Sequence, residues 1–283
     1  MHFRGVSAFP LTPFVDDRVD EAAYAAVIRR VAASKVASVT ALGSTGSYAY
    51  LSREERAAAI SIAVENAGPM PVAAGIGATR TRHVVEHADD AASAGAQALL
   101  LAPVSYQPLG DDEVFGLFRD VSSSTDLPIV VYDNPRTTGY AFTPEMYARV
   151  AELPRVAAIK VPGRALAEAR PLLSRIRSLV PAHVSVGFSG DGYALDCREA
   201  GYDGWYSVLA GTLPALALDV WDRRADLGPL WELYADAGGG LRVMAAIAEY
   251  KGWAAPDCLP RPLIGLNGHQ LEKLASILLD LGE

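Results

Sequence analysis

PIVVYDNPRTTGYAFTPEMYARVAELPRVAAIKVPG, residues 128–163, holds one complete unit of the fold. Two short apolar runs, PIVVY (128–132) and VAAIK (156–160), flank TPEMYARVAEL (143–153). The middle segment has helical spacing, and Pro144 suits a first helical turn, where no N–H is needed. Two strands joined through a helix pair in parallel by a crossover. Both runs are continuously apolar rather than alternating, as strands covered on both faces should be. Lys160 closes the second run, and Pro162 and Gly163 then break the chain. A lysine closing a buried strand must bear desolvation, pair with an acid or do chemistry. Glu168 is the first acid after it.

The same unit recurs outward in both directions. GVSAF (5–9), SVTAL (38–42), PVAAG (71–75), ALLLA (98–102), HVSVGF (183–188) and GWYSV (204–208) complete a set of eight runs. Helix-sized segments separate them, and SREERAAAISIAVENAG opens as a capping box, with Ser52 as N-cap and Glu55 three residues on. An open doubly wound sheet is one solution, but eight strand–helix units within about 200–250 residues define an α/β fold of the (β/α)8 TIM-barrel kind. The expected organisation is a catalytic barrel over residues 1–225, with a helical extension over 226–283 packed on it. LWELYADAGGGLRVMAAIAEYKGW and NGHQLEKLASILLDLG are the amphipathic segments of that extension.

Bulk properties exclude several classes. The chain has 283 residues, 51% hydrophobic, and a formal charge of −8, which argues against nucleic acid or an anionic membrane surface as partner. Cys197 and Cys258 make no metal or disulfide pattern, so the chain reads as cytoplasmic. No apolar run of about 18 residues predicts a membrane span, and prolines interrupt the N-terminal segment where a signal peptide would lie.

In a barrel the C-terminal ends of the strands carry the site. That rule selects Gly43 to Ser47, Tyr132, Lys160 and Ser189 to Asp191. Lys160 is one of four lysines and alone has a strand-end position; taken by itself it is also compatible with a side chain snorkelling to solvent. In an apolar pocket such a lysine is more often free amine and nucleophilic, and its natural electrophile is a ketone, giving a Schiff base. Tyr132 offers a phenol for the proton transfers, or else an aromatic plug. In GSTGSYAYLSREER, Gly43 and Gly46 permit a tight turn, while Ser44 and Thr45 offer hydroxyls and amide donors suited to a carboxylate, although an ordinary strand–helix turn reads the same way. Together these elements make a site for a 2-oxo acid.

GSTGSYAYLSREER, YDNPRTTG, AAIKVPG and SGDGYALDCREAGYDGWYSVLAGTLP resemble, in order and spacing, the dihydrodipicolinate synthase/N-acetylneuraminate lyase family. The likeness runs from about Gly5 to Pro214. Tyr132 and Lys160 are separated by 28 positions, as in that family. The resemblance implies a (β/α)8 homo-oligomer, dimer or tetramer, condensing or cleaving pyruvate or a related 2-oxo acid with an aldehyde, without metal or organic cofactor. It makes Lys160 the Schiff-base lysine, Tyr132 the proton-relay tyrosine, and Ser44 and Thr45 the hydroxyl pair; Gly43, Gly46, Arg136, Thr137, Ser189 and Tyr206 join them on the substrate side. Alternatives within the same chemistry are the lysine-pathway condensation of pyruvate with aspartate semialdehyde and dehydration of a sugar acid; a non-catalytic 2-oxo acid binding protein lies outside it.

The departures concern the acceptor. Ser47 stands where the family's synthases usually carry an acid, and Val104 and Ser105 stand where they carry paired tyrosines, with Tyr106 one place later. Thr137 occupies the expected position of the arginine for the aldehyde substrate's carboxylate, and Arg136 lies one residue earlier. Tyr48, Arg80 and Val84 fall at the positions of the lysine-feedback site, so feedback by lysine is not expected. GIGATR (75–80) lacks the third glycine of a dinucleotide fingerprint. His83 and His87 have a metal-capable spacing but no evident third ligand, and are read as an exposed helix face. Arg223 and Arg224 are read as a solvated helix face.

Overall fold

The computed structural model describes residues 3–283. Eight parallel strands close into a barrel: Gly5–Ala8, Ser38–Ala41, Val72–Gly75, Ala98–Leu101, Ile129–Tyr132, Val156–Pro162, Ser185–Ser189 and Gly204–Ser207. Each pairs with its neighbour in sequence, and the eighth closes on the first through Gly5↔Gly204 to Ala8↔Ser207. Helices lie between successive strands, as the 128–163 unit predicts. A two-stranded antiparallel hairpin, Phe14–Val15 with Arg18–Val19, follows the first strand and was not anticipated.

Local sequence accounts for the helix starts. Ser52 Oγ accepts from the Glu55 N–H at 3.2 Å while Glu55 Oε2 accepts from the Ser52 N–H at 2.8 Å, the reciprocal box expected before helix Arg53–Asn66. Thr143 caps helix Pro144–Ala151 by accepting from the Met146 N–H at 3.1 Å.

The two-residue period of each strand sorts its side chains. Ile129 and Val131 pack outward with the helices, whereas Val130 and Tyr132 pack inward with Phe9, Leu100, Ala158 and Tyr206. In the sixth strand Ile159 and Val161 face the helices, leaving Lys160 on the same side as Ala158, inside the barrel. Register then sets Tyr132 opposite Lys160, and Lys160 opposite Gly187.

Three boundaries differ from the sequence reading for identifiable reasons. The sixth strand runs past Lys160 to Pro162, which still pairs with Ser189. The neighbouring fifth strand has ended at Tyr132, so the N–H that proline lacks has no ladder partner to disappoint. The seventh strand begins at Ser185 rather than His183, because a turn closed by the Val184 N–H on the Pro181 carbonyl takes up the preceding residues. The amphipathic segment LWELYADAGGGLRVMAAIAEYKGW is divided between two helices, Gly228–Asp236 and Gly240–Tyr250, broken where Gly238 (φ 73°) and Gly239 (φ 132°) take conformations open to glycine. Leu230, Leu233, Val243 and Met244 of these helices belong to the same buried cluster as the outward faces of the strands.

Two surface readings need correction. His87 is buried, at 8% exposure, because its helix, Thr81–Ser93, turns that face onto the barrel wall; burial, with Arg56 nearby, lowers its pKa to about 4. Arg223 and Arg224 are exposed but lie beyond the end of helix Pro214–Trp221, where Arg223 takes φ 61°.

Candidate active site

The site is built at the C-terminal rim, starting from the second strand. Leu42, immediately after it, has φ 57°, a conformation costly for a side chain with a Cβ, at about 1–3 kcal/mol. The turn is accommodated by glycine next door: a Cβ on Gly75 would stand 1.9 Å from the Leu42 carbonyl oxygen. Gly43 is constrained in the same way, since a Cβ there would meet the Phe9 ring at 2.4 Å, and one on Gly46 would press on the Leu42 backbone at 3.0 Å. These three close approaches bring Ser44 over the barrel mouth.

There Ser44 Oγ lies 3.1 Å from Tyr132 Oη, linking residues 88 positions apart. Asn134 Nδ2 donates to the same phenol oxygen at 2.9 Å and lies 3.5 Å from Ser44 Oγ. Lys160, 3% exposed, places Nζ 3.8 Å from the Tyr132 ring centroid, 3.9 Å from that of Phe9 and 5.8 Å from that of Tyr206. A cavity of about 620 Å³ opens above it, lined by Lys160, Tyr132, Ser44, Thr45, Arg136, Ser189 and Tyr206 among others.

Burial dominates the electrostatics. It lowers the Lys160 pKa to about 7, against a small opposing pull from Asp191. The aromatic faces favour the ammonium, so the site holds the lysine between its two states. Burial raises the Tyr132 phenol, and its hydrogen bonds with Ser44 and Asn134 pull it partly back. Asp191 is fully enclosed and raised to about 6 by burial, tempered by N–H donors from Leu209 at 2.7 Å, Trp205 at 3.0 Å and Val208 at 3.2 Å. Tyr206 is raised by burial, and its hydroxyl has no hydrogen-bond partner among the described residues.

The residues singled out from sequence do not all converge. Thr137 lines an adjoining cavity of about 550 Å³, with Tyr48 and Val104, but not the one above Lys160. Arg136 lines both cavities, and its Nη2 donates to the Gly238 carbonyl at 2.9 Å. Gly43 and Gly46 line neither and act through backbone shape. Sequence reasoning missed Phe9, which underlies the lysine, and Asn134, which touches both hydroxyls. It also missed Trp231, Tyr234 and Gly239, brought over the cavity by the break between the C-terminal helices. The only signal for Asn134 was its position two residues after a strand-end tyrosine.

A (β/α)8 barrel whose sixth strand carries, near its C-terminal end, a buried, partly neutral lysine beside a hydrogen-bonded phenol defines the Schiff-base-forming aldolases. The chain belongs to the Dihydrodipicolinate synthetase family, whose profile matches residues 2–279. It is an enzyme, a carbon–carbon lyase of the class I aldolase type akin to dihydrodipicolinate synthase. A 4-hydroxy-tetrahydrodipicolinate synthase of Methanothrix thermoacetophila is 33% identical over 220 residues, 77% of this chain and 73% of the relative. The enzyme of that name from Anaplasma marginale strain St. Maries is 30% identical over 94% of this chain and 86% of its own. The crystal structure of a dihydrodipicolinate synthase from Agrobacterium tumefaciens matches with a TM-score of 0.92 and 41% identity, covering 99% of this chain and 98% of that one. A protein described as a monomeric dihydrodipicolinate synthase variant matches with a TM-score of 0.88 and 26% identity, covering 99% of this chain and 97% of that one.

Proposed function

We propose that the protein joins or cleaves pyruvate, or a related 2-oxo acid, and an aldehyde through an iminium on Lys160. The observation that carries this reading is Lys160 itself: buried near the C-terminal end of its strand, its pKa lowered to about 7, and beside the linked hydroxyls of Tyr132 and Ser44. The free amine attacks the keto carbon, forming the C–N bond and moving the carbonyl pair onto oxygen. That oxygen takes a proton from Ser44, which is resupplied by Tyr132, and the nitrogen's extra proton returns to the phenolate. A second transfer along the same route lets the hydroxyl leave as water, giving the iminium. The phenolate then takes a proton from C3, and the enamine's electron pair attacks the aldehyde carbon. Tyr132, now carrying the C3 proton, protonates the new alkoxide; water then adds to the iminium carbon, its proton passes to the phenolate, and the C–N bond breaks to return Lys160 and the product's keto group. Thr45 and the backbone of the 43–46 loop hold the keto-acid carboxylate, and Ser189 and Tyr206 border the bound acid.

The test is reductive trapping. Pyruvate with borohydride should add one adduct mass to the wild-type protein, mapping to Lys160, and none to Lys160→Ala. An adduct that survives the substitution, or maps to Lys35, would sink the assignment.

A second reading narrows the aldehyde to aspartate semialdehyde. It is favoured by Arg136, which reaches the cavity although Thr137 holds the expected arginine position, and by the activity named for the relatives. For the assembly we propose a homo-oligomer, dimer or tetramer, in the cytoplasm, on the family resemblance.

A further inference from the structure

Asn134 occupies the N-cap position of the short helix Pro135–Thr138, where an asparagine side chain ordinarily accepts an N–H from the first turn. Here it makes no such cap. Its backbone carbonyl takes the Thr137 and Thr138 N–H groups at 3.0 and 3.1 Å, and the side chain turns the other way, to Tyr132 Oη and Ser44 Oγ. An amide nitrogen can only donate, so the phenol oxygen must accept from it. The Tyr132 proton is then left for the other neighbour within reach, Ser44 Oγ at 3.1 Å. Ser44 in turn has its own hydrogen free to point into the cavity that Lys160 lines.

We infer that Asn134 is a positioning residue that sets the direction of proton flow, Tyr132 to Ser44 to substrate, and stabilises the phenolate left behind. This rests on the keto-acid reading above and deepens it. In each cycle Tyr132 gives up one proton as water leaves and recovers one from C3 of the bound acid. Between those two events the phenolate is held by the Asn134 N–H.

Exchange of the pyruvate methyl hydrogens in D2O, followed by proton NMR, reads this half-reaction without an acceptor aldehyde. Asn134→Leu keeps the approximate shape and cannot donate; Asn134→Asp keeps the shape and places a negative charge against the phenolate. Both should slow exchange by about 10- to 100-fold with the half-saturating pyruvate concentration within about threefold of wild type. In a Ser44→Ala background, Asn134→Leu should cost less than about threefold more, because the two residues serve one relay. Circular dichroism of each variant checks the fold. Exchange by Asn134→Leu within about threefold of wild type would overturn the inference, as would losses that multiply with Ser44→Ala or a slowing matched by weaker pyruvate binding. Wild-type protein that neither exchanges nor traps pyruvate would instead remove the keto-acid reading, and this inference with it.

Discussion

Replacing Lys160 by methionine should make the protein more stable at neutral pH while abolishing its chemistry. In the unfolded chain the amine titrates near its ordinary 10.5, and in the folded chain burial lowers it to about 7. As pH falls through 10.5, the unfolded chain takes up the proton and the folded chain does not. Native stability is therefore fully expressed above 10.5, declines as pH falls towards 7, and is level below it. At pH 7 the imbalance is worth about 4 kcal/mol, taking 1.36 kcal/mol per pH unit. The Phe9 and Tyr132 faces, 3.9 and 3.8 Å from Nζ, return part of this by favouring the ammonium. Allowing about 1–2 kcal/mol for them leaves a net cost of about 2–3 kcal/mol. Methionine fills similar space without a charge, so Lys160→Met should gain that amount at pH 7 and only about 1 kcal/mol at pH 9.5. Urea unfolding of both proteins at the two pH values, followed by far-UV circular dichroism, measures it. A variant no more stable than wild type at pH 7, or a gain that does not shrink at pH 9.5, would refute the reasoning. The same lowering serves catalysis, because it leaves far more of Lys160 as free amine at neutral pH than an unperturbed lysine would hold.

Tyr132→Phe should lower turnover by about two to four orders of magnitude while the fold survives, since the ring keeps its place in the inner cluster; near-normal turnover would return Tyr132 to a packing role. The rate of borohydride trapping with pyruvate should rise with pH up to about 7 and then level, whereas a rise continuing to pH 10 would mean an unperturbed lysine. Gly75→Ala should lower stability by about 3 kcal/mol or more, because a Cβ 1.9 Å from the Leu42 carbonyl forces the strained turn to move; an unchanged thermal midpoint would show that the turn yields freely. Condensation of pyruvate with aspartate semialdehyde, measured with a coupled reductase, should be slow, since Thr137 supplies one hydroxyl where a charged hydrogen bond worth about 1.5–3 kcal/mol is expected. A kcat/KM of about 10⁴ M⁻¹s⁻¹ or more would instead assign that carboxylate to Arg136 and establish the lysine-pathway reaction.

What the sequence determined by itself was whatever depends on neighbours along the chain. Continuous apolar runs spaced by helical segments can satisfy their backbones only as parallel strands with crossovers, so the barrel was legible from residues 128–163 and their repeats. The place of Lys160 at the end of one run, and of Tyr132 at the end of the run before, was legible for the same reason. Tertiary structure decided which side chains meet across the mouth. Barrel closure brings Phe9, just after the first strand, against a lysine on the sixth, and strain at Leu42, accommodated by Gly75, brings Ser44 to a phenol 88 positions away. Asn134 reads locally as a helix cap, and only the packed rim turns its amide to Tyr132. His87 reads as surface by its spacing, and only the barrel wall against its helix buries it. Local pattern sets which segments form strands and helices, whereas contact between distant residues, and the side chains that turn against their local reading, are set by the single arrangement in which all eight strands close together.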